Sequence, residues 1–202
     1  MILVTDFEPY GPHKAIPSAE LATTLDGRRF GDHAVHGEVL SVHHREAALK
    51  VGALLGELDP VAIVHTGLAD TRARIALERV AVNLMDYRLP DNAGYQAVDE
   101  PCVADGPVGY LATLPLREIL TALVAEGVPA YGSNTAGTYL CNQTLYTTLH
   151  AVTRAGRSTR VGFVHMPLLP SMVADAGVEL PSMDFPLMLR ALEIVLRVIV
   201  DT

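Results

Sequence analysis

Ser133-Asn134-Thr135-Ala136-Gly137-Thr138-Tyr139-Leu140-Cys141-Asn142 is the stretch on which the reading of this chain turns. Asn134 and Gly137 suit turn conformations that bulkier residues resist. The residues before them, 128–131, read as a short strand, and those from Tyr139 onward as a helix ending near Ala155-Gly156. A strand, a small polar turn and a helix form the basic step of an α/β fold. Cys141 falls in the first helical turn, where unpaired N–H groups and the macrodipole favour a thiolate. A thiolate there is a candidate nucleophile. The competing reading is a small buried hydrophobe, a common fate for a free cysteine.

The same alternation extends in both directions. Met1 to Thr5 and Val61 to His65 are apolar runs of the kind found in central strands, as is Val161 to Val164. Residues 35–42 and 74–84 also favour extended structure. Helices are expected from Pro17-Ser18 to near Gly27, over 45–58, over 115–126, and from Asp184 or Phe185 to the end, with Pro186 just inside the last. Residues 86–107 carry three prolines and form a long irregular segment, which marks a functional or mobile loop. The polar stretch from His165-Met166-Pro167 to Met183 reads as another loop. The expected architecture is a single-domain, three-layer α/β/α fold over residues 1–202, with a largely parallel twisted sheet.

Composition bounds the function. Half of the 202 residues are hydrophobic, enough for a full core, and no apolar run reaches the length of a membrane span. The N-terminus lacks the basic start and long apolar stretch of a signal peptide, and Cys102 and Cys141 are the only cysteines. A soluble, cytoplasmic protein with reduced thiols is expected. The net charge of −8 and the lack of a basic cluster argue against nucleic-acid binding.

Ligands of such sheets gather outside the carboxyl ends of the strands. The loops after Thr5, His65 and Val164 should meet there. The Cys141 helix begins after a fourth strand, so its first turn should face the same edge. A thiol nucleophile needs a base, usually histidine, and a third group to orient it. His65 and His165 both end apolar strands, and periodicity does not choose between them. Glu78, an acid among apolar strand residues, needs a partner if buried. It either orients an imidazole or forms an ordinary ion pair with Arg74 or Arg79. His33-x-x-His36 and His43-His44 lack the acid or cysteine that would complete a recognisable ligand set, so neither metal nor cofactor is expected.

Five segments, in order, resemble those of the pyrrolidone-carboxylate peptidases, also called pyroglutamyl peptidases type I. Phe7-Glu8-Pro9-Tyr10-Gly11 resembles the family's FEPFG loop, and Glu78-Arg79-Val80-Ala81-Val82-Asn83 the segment of its catalytic Glu. Arg88-Leu89-Pro90-Asp91-Asn92 resembles its RIPDN turn. The segment from Ala136 to Asn142 is similar to that of the nucleophile, and Gly162-Phe163-Val164-His165-Met166-Pro167 to that of the histidine. The resemblance spans nearly the whole chain and selects His165 over His65.

What it implies is a cytosolic cysteine peptidase that removes N-terminal pyroglutamyl residues from peptides, with Cys141 as nucleophile, His165 as base and Glu78 orienting it. By the same resemblance Phe7, Tyr10, Tyr139 and Leu140 surround the lactam ring, Arg88 assists at the oxyanion, and the protein is a homo-oligomer, dimer or tetramer. The chain departs from the family pattern in five places: Asp6 and Pro12 replace glycines, Ile16 an Asn, Asp70-Thr71-Arg72 a Gly-Arg loop, and Ala76 a Ser or Thr. The alternatives are an inactive homologue that binds blocked N-termini, and a thiol hydrolase of another small amide.

Overall fold

The computed structural model describes residues 1–11, 17–177 and 179–202. Pro12 and Ile16 lie outside them. The sheet has seven strands: β1 (Ile2–Phe7), β2 (Arg29–Phe30), β3 (His33–Leu40), β4 (Ala62–Leu68), β5 (Ile75–Glu78), β8 (Ala130–Ser133) and β9 (Arg160–Met166). Their order is β2-β3-β1-β4-β9-β5-β8. Strands β6 (Val80–Val82) and β7 (Gly109–Leu111) form a separate antiparallel pair. Helices α1 (Pro17–Leu25), α2 (Glu46–Leu58), α3 (Leu116–Ala125), α4 (Leu140–Arg154), α5 (Pro170–Ala176) and α6 (Phe185–Asp201) complete the described elements.

The pleat divides the strand residues between two cores. Ile2, Val4, Ala62, Val64, Val164 and Met166 pack with α1, α3 and α6. Leu3, Ile63, Val161 and Phe163 pack on the opposite face with α2 and α4. The three-layer α/β/α arrangement follows, and so do the unbroken apolar runs of β1 and β4, which are buried on both faces. His65 and His165 share the odd-numbered parity of Phe163 and look toward α4. His65 lies one pleat deeper than His165, because β4 and β9 pair His65 with Phe163 and Gly67 with His165.

Four sequence expectations change. Strand β1 continues through Asp6 and Phe7, which pair with Val39 and Leu40, so the loop starts only at Glu8. Strands β5 and β8 are parallel to each other, but β5 runs against β9. The turn 134–138, rather than a parallel strand end, therefore delivers α4 to the rim. Part of the loop expected up to Met183 is helix α5: Pro170 suits its first turn, and Gly177 ends it in the left-handed region at φ 65°. The short strands β2 and β7 lie where no element was expected.

Candidate active site

Cys141 enters the site from the first turn of α4 and is 93% buried, at 7% exposure. Tyr139 occupies the N-cap without a side-chain hydrogen bond to the turn, so its N–H groups have no side-chain cap. The sulfur rests against the backbone of Gly67, where a Cβ would come within 3.2 Å of Sγ and 2.9 Å of Phe163 Cζ. His165 stands on the neighbouring strand in register with Gly67. Both side chains line one cavity of about 300 Å³. A Gly67→Ala variant should displace the thiol by a few tenths of an ångström. We expect kcat to fall ~10- to 100-fold, with a stability loss of about 1–3 kcal/mol; steady-state kinetics and a thermal melt would read the two effects separately.

His165 Nδ1 bonds Glu78 Oε1 at 2.8 Å, and the carboxylate is fully buried. An acceptor on Nδ1 puts the proton there and leaves Nε2 as the basic nitrogen. Glu78 is paired with neither Arg74 nor Arg79. Arg74 lies over the Tyr131 ring, 4.7 Å from its centroid, and Arg79 donates to Asn134 Oδ1 at 3.2 Å. The cation on Glu78 is Arg72, whose Nη1 donates to Oε1 while Nη2 donates to Thr135 O at 3.0 Å. The sequence reading missed this residue. The available signal was a buried acid in need of a cation, with several arginines nearby in sequence.

Electrostatics correct the expectation of a preformed thiolate. Burial pushes the Cys141 thiol well above its usual range, and the charges of Asp6 and Glu78 push the same way. The Cys141 backbone N–H and Arg72 oppose this less strongly. Burial also lowers His165 below the usual imidazole value, against the Glu78 hydrogen bond and charge, while Arg72 adds to the lowering. For Glu78, burial acts upward, but the hydrogen bond and charge of His165 lead the contributions that bring the carboxyl below its ordinary value. These directions favour a neutral thiol, a neutral imidazole and a carboxylate at rest. The thiol proton therefore has to leave during attack.

Around the cavity, Tyr10 and Tyr139 form a tilted aromatic pair with centroids 5.8 Å apart, and Tyr87 meets Tyr139 edge-on at 4.8 Å. The two proline-bearing segments are stitched together here. Asn92 Nδ2 donates to Glu8 Oε1 at 2.9 Å and to Pro9 O at 3.0 Å, and Tyr139 Oη donates to Pro90 O at 3.2 Å. Asp91 holds its own turn by accepting from the N–H groups of Ala93 and Tyr95, both at 2.9 Å.

Phe7 and Leu140 do not line the cavity. Phe7 is the last residue of β1 and 2% exposed, while Leu140 opens α4 facing inward and is 1% exposed. Both are core residues that support the wall instead of forming it. Arg88 stands at the mouth, largely exposed, with Nη2 4.0 Å from Asp70 Oδ2. Of the departing positions, Asp6 is buried, bonded to the Thr66 hydroxyl and to Phe7 N at 2.6 Å. Ala76 is buried and pairs with His165 across β5 and β9.

His65, the other strand-end candidate, is enclosed away from the cavity, with Nδ1 2.7 Å from Thr5 Oγ1 and Nε2 3.1 Å from Thr148 Oγ1. Asp91 is an acid that the sequence did not show beside His43-His44, and the three residues offer ligand atoms within 4.8 Å of one another. Asp91 Oδ2 bonds His44 Nδ1 at 2.9 Å, and His43 Nδ1 accepts from Arg45 N at 3.1 Å.

A thiol, an imidazole and a carboxylate on the rim of an α/β sheet are the equipment of acyl transfer, and they define the class: a cysteine hydrolase. The family model described as pyroglutamyl peptidase matches residues 1–202. A pyrrolidone-carboxylate peptidase of Pyrococcus furiosus is 40% identical over 99% of this chain and 98% of its own length. One from Thermococcus litoralis is 38% identical over 99% and 93%. A solved variant of the P. furiosus enzyme superposes with a TM-score of 0.96 at 39% identity, covering 99% of this chain and 98% of that one. The chain belongs to the pyroglutamyl peptidase family and is a peptidase of the cysteine type.

Proposed function

We propose that the protein removes N-terminal pyroglutamyl residues from peptides through a thioester on Cys141. The observation that carries this reading is the single cavity that holds Cys141 and His165 beside the Tyr10–Tyr139 wall, with Glu78 bound to the ring behind. Pyroglutamate presents a flat, uncharged lactam. Tyr10, Leu68, Ala136 and Tyr139 offer it apolar contact.

In the first half-reaction, Sγ attacks the carbonyl carbon of the pyroglutamyl bond as its proton passes to His165 Nε2. The first-turn N–H groups of α4 receive the oxyanion, and Arg88 at the mouth assists them. Collapse expels the amine, which takes the proton from His165 and leaves the thioester. Water then attacks the thioester, giving its proton to His165. The tetrahedral adduct releases free pyroglutamate, and the proton returns to the thiol. Glu78 stabilises the imidazolium in both halves.

The test is cleavage of a fluorogenic pyroglutamyl amide by reduced protein, with and without prior alkylation by iodoacetamide. Cleavage abolished by alkylation is the expected result; binding of pyroglutamate without turnover would overturn the proposal. A wider set of aminoacyl amides separates this reading from a hydrolase of another small amide. The pH profile is a further prediction. The base works while neutral, and burial lowers its pKa, so the acid limb of kcat/KM should lie below the ordinary imidazole value of ~6.5. A limb at or above that value would contradict the neutral resting pair.

No described helix is long and apolar enough to cross a membrane. We place the enzyme in the cytoplasm, where Cys102 and Cys141 would stay reduced. We also infer a homo-oligomer, on the family resemblance alone.

A further inference from the structure

We propose that Arg72 is a positioning residue of this site: its fork clamps the Glu78–His165 pair to the turn that leads into Cys141, and its charge acts on the base through that carboxylate. The inference rests on the peptidase reading above and deepens it.

The geometry is that of a bridge. Nη1 donates to Glu78 Oε1, the same oxygen that His165 Nδ1 contacts, and Nη2 donates to Thr135 O in the turn before α4. Glu78 Oε2 is buried and makes no geometrically complete hydrogen bond among the described residues, with the Ser133 hydroxyl the other group acting on this carboxyl. Both donors therefore converge on one oxygen, and the arginine draws electron density from the atom that orients the base. Arg72 itself lines the cavity and is only partly exposed, so its charge is incompletely screened. One side chain thus couples β5, β9 and the start of α4, which carry Glu78, His165 and Cys141. A lysine in its place could keep the charge but could not make two divergent contacts from a planar fork.

The charged and titratable groups facing His165 come from each neighbouring element. Glu78 lies on β5 and Cys141 on α4, and Asp6, near the end of β1, acts on the Cys141 thiol. Arg72 and Asp70 belong to the loop after β4, and Tyr10, Tyr139 and Arg88 complete the wall and mouth. Among these, Arg72 is the cation in direct contact with the carboxylate that holds the ring. Removing it should raise the pKa of His165, so that the ring protonates at a higher pH and the acid limb of activity moves up.

The experiment compares wild type with Arg72→Gln and Arg72→Lys by two readouts. The first is the pH profile of kcat/KM on a pyroglutamyl amide. The second is the pH dependence of Cys141 alkylation by iodoacetamide, followed by peptide mapping to separate it from Cys102. The second needs no substrate, so it distinguishes failure of this inference from failure of the substrate assignment. For Arg72→Gln we expect a ~10- to 100-fold fall in kcat and acid limbs in both profiles raised by about one pH unit. Arg72→Lys should keep the limb near its wild-type position and lose much of the rate. A folded Arg72→Gln whose limbs do not move would overturn the inference. So would an Arg72→Lys variant with wild-type kcat, which keeps the test decisive if the glutamine variant fails to fold.

Discussion

Replacing Cys141 with serine should lower kcat on a pyroglutamyl amide by about 10⁵- to 10⁶-fold, to the limit of detection, while the protein stays folded. The reason lies in proton affinity. Burial and the nearby carboxylates already hold the thiol neutral, so His165 must remove its proton in the course of attack. A serine hydroxyl is far less acidic than a thiol, and in the same surroundings a neutral imidazole could not deprotonate it at a useful rate. The geometry would change little, because Oγ replaces Sγ against Gly67 with slightly less volume. Stability should fall by no more than about 1–2 kcal/mol, from the loss of sulfur packing in a mostly buried site. Steady-state kinetics with a circular-dichroism melt would check both parts. Residual turnover at even a hundredth of the wild-type rate would mean that the sulfur is not the nucleophile.

The second large effect is expected at Glu78. Glu78→Gln should reduce kcat by ~10³- to 10⁴-fold with a smaller change in KM. An amide can keep one hydrogen bond to His165 Nδ1–H through its oxygen, but it brings no negative charge to the imidazolium formed during attack. Its NH₂ group can also turn toward the ring and favour the wrong tautomer. Arg72 would then face a neutral group at the position where it now meets a carboxylate. The sign of the pH effect adds a check. Glu78 holds the pKa of His165 up against burial, so its neutralisation should move the acid limb to lower pH, opposite to the shift expected for Arg72→Gln. A Glu78→Gln enzyme within tenfold of wild type would remove the carboxylate from the mechanism.

The tyrosine wall shows how distant segments depend on one another. Glu8 and Asn92 join the loop after β1 to the turn before Tyr95, and Glu8 Oε1 also accepts from Val42 N at 2.9 Å. This explains in physical terms why a loop near the N-terminus and a turn some eighty residues later both carry family-like sequences. Each supplies part of one hydrogen-bonded rim that holds Tyr10 near Tyr139. Tyr139 itself has its phenol pushed up to about 12, mainly by burial, and so remains a donor to Pro90 O at neutral pH.

Much of this molecule could be read from local pattern. Unbroken apolar runs marked β1, β4 and β9 because strands covered on both faces have no polar side to show. Helical periodicity and its proline and glycine punctuation located α2, α3, α4 and α6 to within a residue or two at most ends. The helix-start cysteine was visible for the same local reason, and Glu78 stood out as an acid in apolar company. Choosing His165 over His65 required family resemblance, since both end apolar strands. Only the strand register explains the difference: His65 lies a pleat deeper, between two threonine hydroxyls.

The amino-acid order alone thus determined the α/β alternation, the buried strands and the residue types able to do acyl transfer, because these depend on side-chain chemistry at short separations. The tertiary structure decided the rest. It set the reversed direction of β5 and β8, moved Phe7 and Leu140 from the expected wall into the core, and brought Arg72 onto Glu78. It also shifted the thiol upward and the imidazole downward, since the cost of a buried charge depends on everything packed around it and is carried by no local stretch of sequence.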